Sequence, residues 1–95
     1  MTVFGERLLA AFTRKHAQAR KPLARFLEVV RDAEWKHMPD VKAMFPATDF
    51  DPNAELYIFD IGGNKYRLTA SLDFETQSLL IEAVMTHEEY IRKGR

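Results

Sequence analysis

Residues 57–70 read YIFDIGGNKYRLTA, and the fold class turns on how this stretch is read. Apolar and β-branched side chains run up to Gly62-Gly63-Asn64, and a second such run leaves it. Glycine and asparagine enter the positive-φ conformations that a short hairpin turn demands, so the stretch predicts two antiparallel strands and their turn. Residues 56–61 are apolar at nearly every position and only Asp60 interrupts them, which predicts a strand covered on both faces. On the return strand, residues 65–72, strict alternation puts Tyr66, Leu68, Ala70 and Leu72 on one side. Lys65, Arg67, Thr69 and Ser71 then share the other. Residues 73–77 read as a second turn and 78–85 as a third strand. Leu79, Ile81 and Ala83 would lie on one of its sides, and Leu80, Glu82 and Val84 on the other.

Upstream of the hairpin the apolar period is near 3.6 instead of 2. Residues 6–16 predict a helix with Leu8, Leu9 and Phe12 at helical spacing, and Val3 and Phe4 before it predict a short edge strand. Residues 19–35 predict a second helix whose apolar stripe is Leu23, Phe26, Leu27, Val30 and Ala33. Pro22 suits its first turn, where a missing N–H costs little. Arg20, Lys21, Arg25 and Arg31 project from its other side, which suits a solvated face and an RNA-facing one equally well. Pro39 is expected to end the helical region, residues 41–46 to form one tight helical turn, and residues 48–53 to be loop. After the third strand, Thr86 predicts the cap of a short helix over residues 87–93, with Glu89 placed as in a capping box. The sum is an α+β domain: two N-terminal helices packed on a three- to four-stranded antiparallel sheet, with a short C-terminal helix.

Ninety-five residues predict one domain, 1–95, and 46% apolar content leaves little to spare for its core. There is no cysteine, so neither a disulfide framework nor a thiolate metal site is available, which fits a reducing cytoplasm. The start, MTVFGERLLAAF, carries Glu6 and Arg7 ahead of a short apolar run and does not read as a signal peptide. No apolar stretch approaches the length of a membrane span, so no membrane partner is expected. Net charge is zero but unevenly spread: residues 1–42 carry +4, residues 43–91 carry −7, and residues 92–95 carry +3. Such a pattern makes either a polarised surface or a set of solvated faces.

Gly62-Gly63-Asn64-Lys65 lacks the spacing of a phosphate-binding loop, and its glycines join two strands, not a strand and a helix. His16, His37 and His87 show no metal-ligand spacing, and no serine or cysteine sits in a nucleophile motif. No metal or other cofactor is expected. Lys65 and Arg67 share a polar face with Thr69 and Ser71, as the wet face of any sheet would. His87 and Tyr90, three apart, share a helix face if the helix forms. The combination suggests more than each part does. An arginine grips a phosphate through a two-pronged contact, and histidine and tyrosine move protons. Neighbouring strand ends meet at one edge of a meander, so Arg67, Lys65, His87 and Tyr90 can surround one phosphate. That set is suited to cutting RNA without a metal: the 2′-hydroxyl is deprotonated and attacks phosphorus, the 5′-oxygen leaves with a proton, and fixed cations hold the added charge.

FDIGGNKYRLTASL followed by VMTHEEYIRK resembles the signature of the HigB toxins in the RelE-like superfamily. The upstream segment AEWKHMPDVKAMFPATDF is similar to the same family, and the first helices match it in pattern. The resemblance implies a toxin of a type II toxin–antitoxin pair: an mRNA endonuclease that cuts translated messages on the ribosome. It implies neutralisation by a HigA-like antitoxin with a helix-turn-helix domain, which alone would contact operator DNA. It also implies site residues. Arg67 matches the superfamily's most recurrent arginine, His87 the histidine of a T-H-x-E-Y motif, and Tyr90 a C-terminal aromatic. On this reading Arg67, assisted by Lys65, would stabilise the transition state, His87 and Tyr90 would share acid and base roles, and Asn64, Thr86, Arg92 and Lys93 would contact RNA. The chain departs from many such toxins in being neutral where they are basic. The rival expectation is a non-catalytic module of the same fold that binds RNA or only a partner protein.

Overall fold

The computed structural model describes residues 1–92. In chain order it contains β1 (Thr2–Phe4), α1 (Arg7–Lys15), a 3-10 turn (Ala17–Ala19), α2 (Arg20–Asp32), α3 (Met38–Met44), β2 (Asp49–Asp51), β3 (Leu56–Ile61), β4 (Tyr66–Asp73), β5 (Ser78–Thr86) and α4 (His87–Arg92). The five strands form one sheet in the order β1-β5-β4-β3-β2. The α+β class holds, with the 56–61, 65–72 and 78–85 runs as its antiparallel centre. The sheet is larger than expected, and mixed. β1 enters as a parallel edge strand beside β5, with Val3 opposite Leu79. Asp49–Asp51, expected to be loop, forms the other edge against β3.

The helices cover one face. Leu9, Leu23, Phe26 and Val30 meet Phe59, Leu68, Ala70, Leu79 and Ile81 in one buried cluster. Phe26 packs edge-on to Phe59 with ring centroids 5.0 Å apart. Each such ring contributes roughly 1.5–3 kcal/mol by leaving water. α2 stops at Asp32, short of the expected Trp35, because Ala33 turns extended (ψ 147°) and lets Trp35 fold back against Phe59. Its last carbonyls are not left bare: the Met1 ammonium donates to the Val30 and Ala33 oxygens at 2.9 and 2.7 Å. Pro39 does not end the helical region. It opens α3, at a position where its missing N–H is harmless, so the expected 41–46 turn begins earlier as a seven-residue helix.

Two local features place the residues of interest. The β3–β4 hairpin pairs Ile61 with Tyr66, leaving Gly62–Lys65 as its loop, with Gly62 and Gly63 at φ 63° and 73°. Lys65 therefore sits in the turn, not on β4. Second, the β4–β5 register slips between Thr69 and Ala70: Thr69 faces Ala83 while Ala70 faces Ile81. Glu82 is the extra residue of a bulge. Beyond it the alternation inverts, so Val84 packs on the core beside Leu68 and Ala83 turns to the opposite face with Thr69. This corrects the expected faces of Ala83 and Val84.

Candidate active site

On the sheet face away from α1 and α2, the hairpin brings Asp60 and Arg67 into direct register. Cross-strand partners have Cβ atoms about 4.5–5.5 Å apart, and here the side chains meet, with Arg67 Nε 3.1 Å from Asp60 Oδ1. Arg67 Nη2 donates to Asn64 Oδ1 at 2.7 Å and Nη1 to the Tyr66 carbonyl at 3.2 Å. The Tyr90 ring of α4 completes the enclosure, its centroid 5.5 Å from the guanidinium carbon, within cation–π range. Arg67 is only 8% exposed. Arg67 is thus not on an open wet strand face, the bland reading of the alternation: α4, Asp60 and Asn64 close around it. One N–H on each terminal nitrogen is left without a partner among the described residues.

α4 is carried to this position by β5, of which Thr86 is the last residue. The Thr86 amide donates to Glu89 Oε1 at 2.9 Å and the Glu89 amide to the Thr86 hydroxyl at 3.1 Å, the reciprocal pair of a capping box. The Thr86 amide is the chief reason the Glu89 carboxyl titrates below the ordinary glutamate range. The Thr86 hydroxyl, His16 and Arg92 act in the same direction, and slight burial acts against them. The His87 amide donates to the Lys65 carbonyl at 2.8 Å, tying the start of α4 to the hairpin loop. His87 Nδ1 is buried with no hydrogen-bond partner among the described residues.

Of the residues expected to act together, Arg67, Asn64 and Tyr90 are in direct contact, and His87 and Lys65 join them through the backbone. Lys65 is exposed in the turn, apart from the face it was expected to share with Arg67. Thr86 is engaged in the cap. Arg92 is exposed and 3.7 Å from Glu88, and Lys93 lies outside the described residues. Asp60 was not singled out as a site residue. The signal was present: a lone carboxylate in an apolar strand, as far before the hairpin turn as Arg67 is after it. A groove of about 740 Å³ between α2 and the hairpin is lined by Lys21, Arg25, Phe26, Arg31 and Gly63. Of Arg67 and its partners, only Asp60 reaches it.

Helices on one face of an antiparallel-centred sheet, with a short C-terminal helix beside the hairpin, are consistent with a RelE-like fold. The family model described as HigB_toxin, RelE-like toxic component of a toxin-antitoxin system, matches residues 19–92, and the chain belongs to that family. It is similar to the mRNA interferase toxin HigB of Escherichia coli (strain K12), 32% identical over 91 residues that span 95% of this chain and 88% of that protein. The mRNA interferase HigB of Shigella flexneri matches to the same extent. The mRNA interferase HigB of Escherichia coli O6:H1 is 24% identical over 83 residues, 86% of this chain and 81% of its own length. Among the described residues no helix is long and apolar enough to cross a membrane.

Proposed function

We propose that this chain is a metal-independent mRNA endonuclease that cuts messages on the ribosome, in the cytoplasm, and is neutralised by a HigA-like helix-turn-helix antitoxin. The antitoxin, not this chain, would contact operator DNA. The observation that carries the reading is the setting of Arg67. Its guanidinium is held on three sides by Asp60, Asn64 and the Tyr66 carbonyl, against Tyr90, with one N–H on each terminal nitrogen unpartnered among the described residues. A pre-positioned fork of this kind can hold a phosphate by two parallel hydrogen bonds. Because Tyr90 covers the enclosed guanidinium, the ring must move aside for a phosphate to reach it; once the phosphate is held, the fork needs no further rearrangement as charge builds on phosphorus.

In the proposed reaction a base removes the proton of the 2′-hydroxyl, and the 2′-oxygen forms a bond to phosphorus. The P–O5′ bond breaks, and an acid protonates the departing 5′-oxygen. Arg67 holds the non-bridging oxygens, with Lys65 supplying charge from the exposed loop. His87 and Tyr90, at the first turn of α4, carry the two proton transfers. Asn64, Thr86, Arg92 and Lys93 are the proposed contacts to the message backbone. The relatives' names as mRNA interferases support the substrate class.

A second reading is favoured by the same geometry. Asp60 already compensates the Arg67 charge, and Tyr90 covers it, as in a structural ion pair of a module that binds without cutting. The two readings separate in one experiment: induced expression with primer-extension mapping of message ends for the parent and for Arg67→Lys. The charge survives that change and the planar fork does not. Codon-linked cuts by the parent that Arg67→Lys loses support the endonuclease. A parent that arrests growth without new message ends sinks it.

A further inference from the structure

We infer that Asp60 is a positioning residue that aims the Arg67 guanidinium at the scissile phosphate. The inference rests on the endonuclease reading and assigns a role to a residue that lies within the family-like stretch but was given no part in the chemistry. Asp60 breaks an otherwise apolar strand. Its neighbours Phe59 and Ile61 are buried in the core, whereas it points to the opposite face. There it meets Arg67, its cross-strand partner, at 3.1 Å.

A carboxylate is a costly neighbour for a phosphate-binding arginine, since it offsets the charge that attracts the phosphate. The arrangement of contacts gives the compensating benefit. Asp60 stands against Nε, the nitrogen nearest the side-chain stem, whereas among the described residues the terminal nitrogens each keep one N–H without a partner. With Asp60 against Nε, and Asn64 and the Tyr66 carbonyl each taking one terminal N–H, the guanidinium is held at all three nitrogens, which opposes rotation about the last side-chain bonds. An arginine otherwise surrenders considerable rotamer freedom when it grips a ligand, and one held in advance does not. Asp60 therefore acts on the geometry of the reacting complex, through Arg67, and touches no substrate atom itself. Misplacement of a reacting group by about 1 Å costs on the order of 100-fold in rate.

The test compares parent, Asp60→Ala and Asp60→Asn. Single-turnover cleavage of message on programmed ribosomes is measured over a range of toxin concentration, well below each protein's own melting temperature. The Arg67 Nε–H resonance is followed by NMR for its rate of hydrogen exchange. Asp60→Ala is expected to lower the maximal rate roughly 10- to 100-fold, leave half-saturation within about threefold, and speed Nε–H exchange. Asp60→Asn keeps an oxygen facing Nε and is expected to fall between Ala and parent on both readouts. An Asp60→Ala protein that cuts at the parental rate or faster overturns the inference, because the carboxylate then only attenuates charge. So does a rate loss that merely tracks the folded fraction with Nε–H exchange unchanged. A parent that cuts no message under these conditions overturns the endonuclease reading, and this role with it. A parent that cuts while Asp60→Ala is indifferent overturns this role alone.

Discussion

Asp60 and Arg67 stand opposite each other across the β3–β4 hairpin, the carboxylate oxygen 3.1 Å from Nε, on the sheet face that the first two helices do not cover. The pair turns what the alternation alone makes a wet polar face into a closed cluster. It also links two properties that a surface arginine would keep separate, folding stability and the chemistry proposed at phosphorus.

Arg67→Ala is therefore expected to lose message cleavage and some stability together. Truncation leaves the half-buried Asp60 carboxylate and Asn64 without their partner. Orphaned polar groups of this kind cost about 1–3 kcal/mol, against the 0.5 kcal/mol or so typical of a surface change. For a domain of this size each kcal/mol lowers the melting temperature by about 4–8 °C. Removing both partners, Asp60→Ala with Arg67→Ala, should recover part of that loss. A double-mutant cycle in thermal melts measures it, and a zero coupling would show the ion pair to be idle.

The glycines separate cleanly. Gly5 has φ 91°, and a Cβ there would stand 2.9 Å from the Ile81 carbonyl oxygen, where β1 leaves its pairing with β5. Gly63 has φ 73° with nothing within 4 Å of a Cβ. Gly63→Ala should cost only the left-handed backbone penalty, about 1–2 kcal/mol. Gly5→Ala should add a further 1–3 kcal/mol of steric displacement. Urea melts of the two variants check the order, and equal losses would place the β1 edge elsewhere.

The capping box gives a pH dependence with a definite sign. Glu89 is held below the ordinary glutamate range, chiefly by the Thr86 amide. A carboxyl depressed in the folded state contributes stability above its unfolded pKa and loses it as pH falls through the folded value. The destabilisation caused by Glu89→Gln should then be constant near neutrality and fade below about pH 4. Thr86→Ala removes the hydroxyl acceptor and should cost about 1 kcal/mol. Melting temperatures of the parent and Glu89→Gln from pH 3 to 7 test the sign, and a gap that widens in acid would contradict it.

Cleavage is expected to persist in the presence of a chelator selective for transition metals, because the proposed chemistry uses only protein side chains: Arg67 with Lys65, and His87 with Tyr90. Magnesium is left in place, since ribosomes need it. Message cuts that vanish on chelation and return with added zinc or manganese would replace the mechanism with a metal-assisted one.

Much of this molecule was legible in one dimension. The switch of apolar period from near 3.6 to 2, the Gly62-Gly63-Asn64 corner, the Leu23–Phe26–Val30 stripe and the Thr86–Glu89 cap all rest on neighbours within a few residues. Local sterics and hydrogen bonding decide such features, so the sequence alone determined them. The likeness of residues 59–68 and 85–90 to the HigB signature likewise needed no coordinates. Tertiary structure decided the rest. β1 pairs with β5 from the far end of the chain, and no local pattern specifies which strand an edge segment will join. Asp49–Asp51 became a strand because β3 offered an unpaired edge, despite a composition typical of loops. The bulge at Glu82 inverted the faces of Ala83 and Val84, since one extra residue shifts a period of two by half a cycle. The burial of Arg67 was likewise beyond alternation: a strand face is wet or dry according to what packs on it, and here α4 and the Asp60 partner on the neighbouring strand settle the matter.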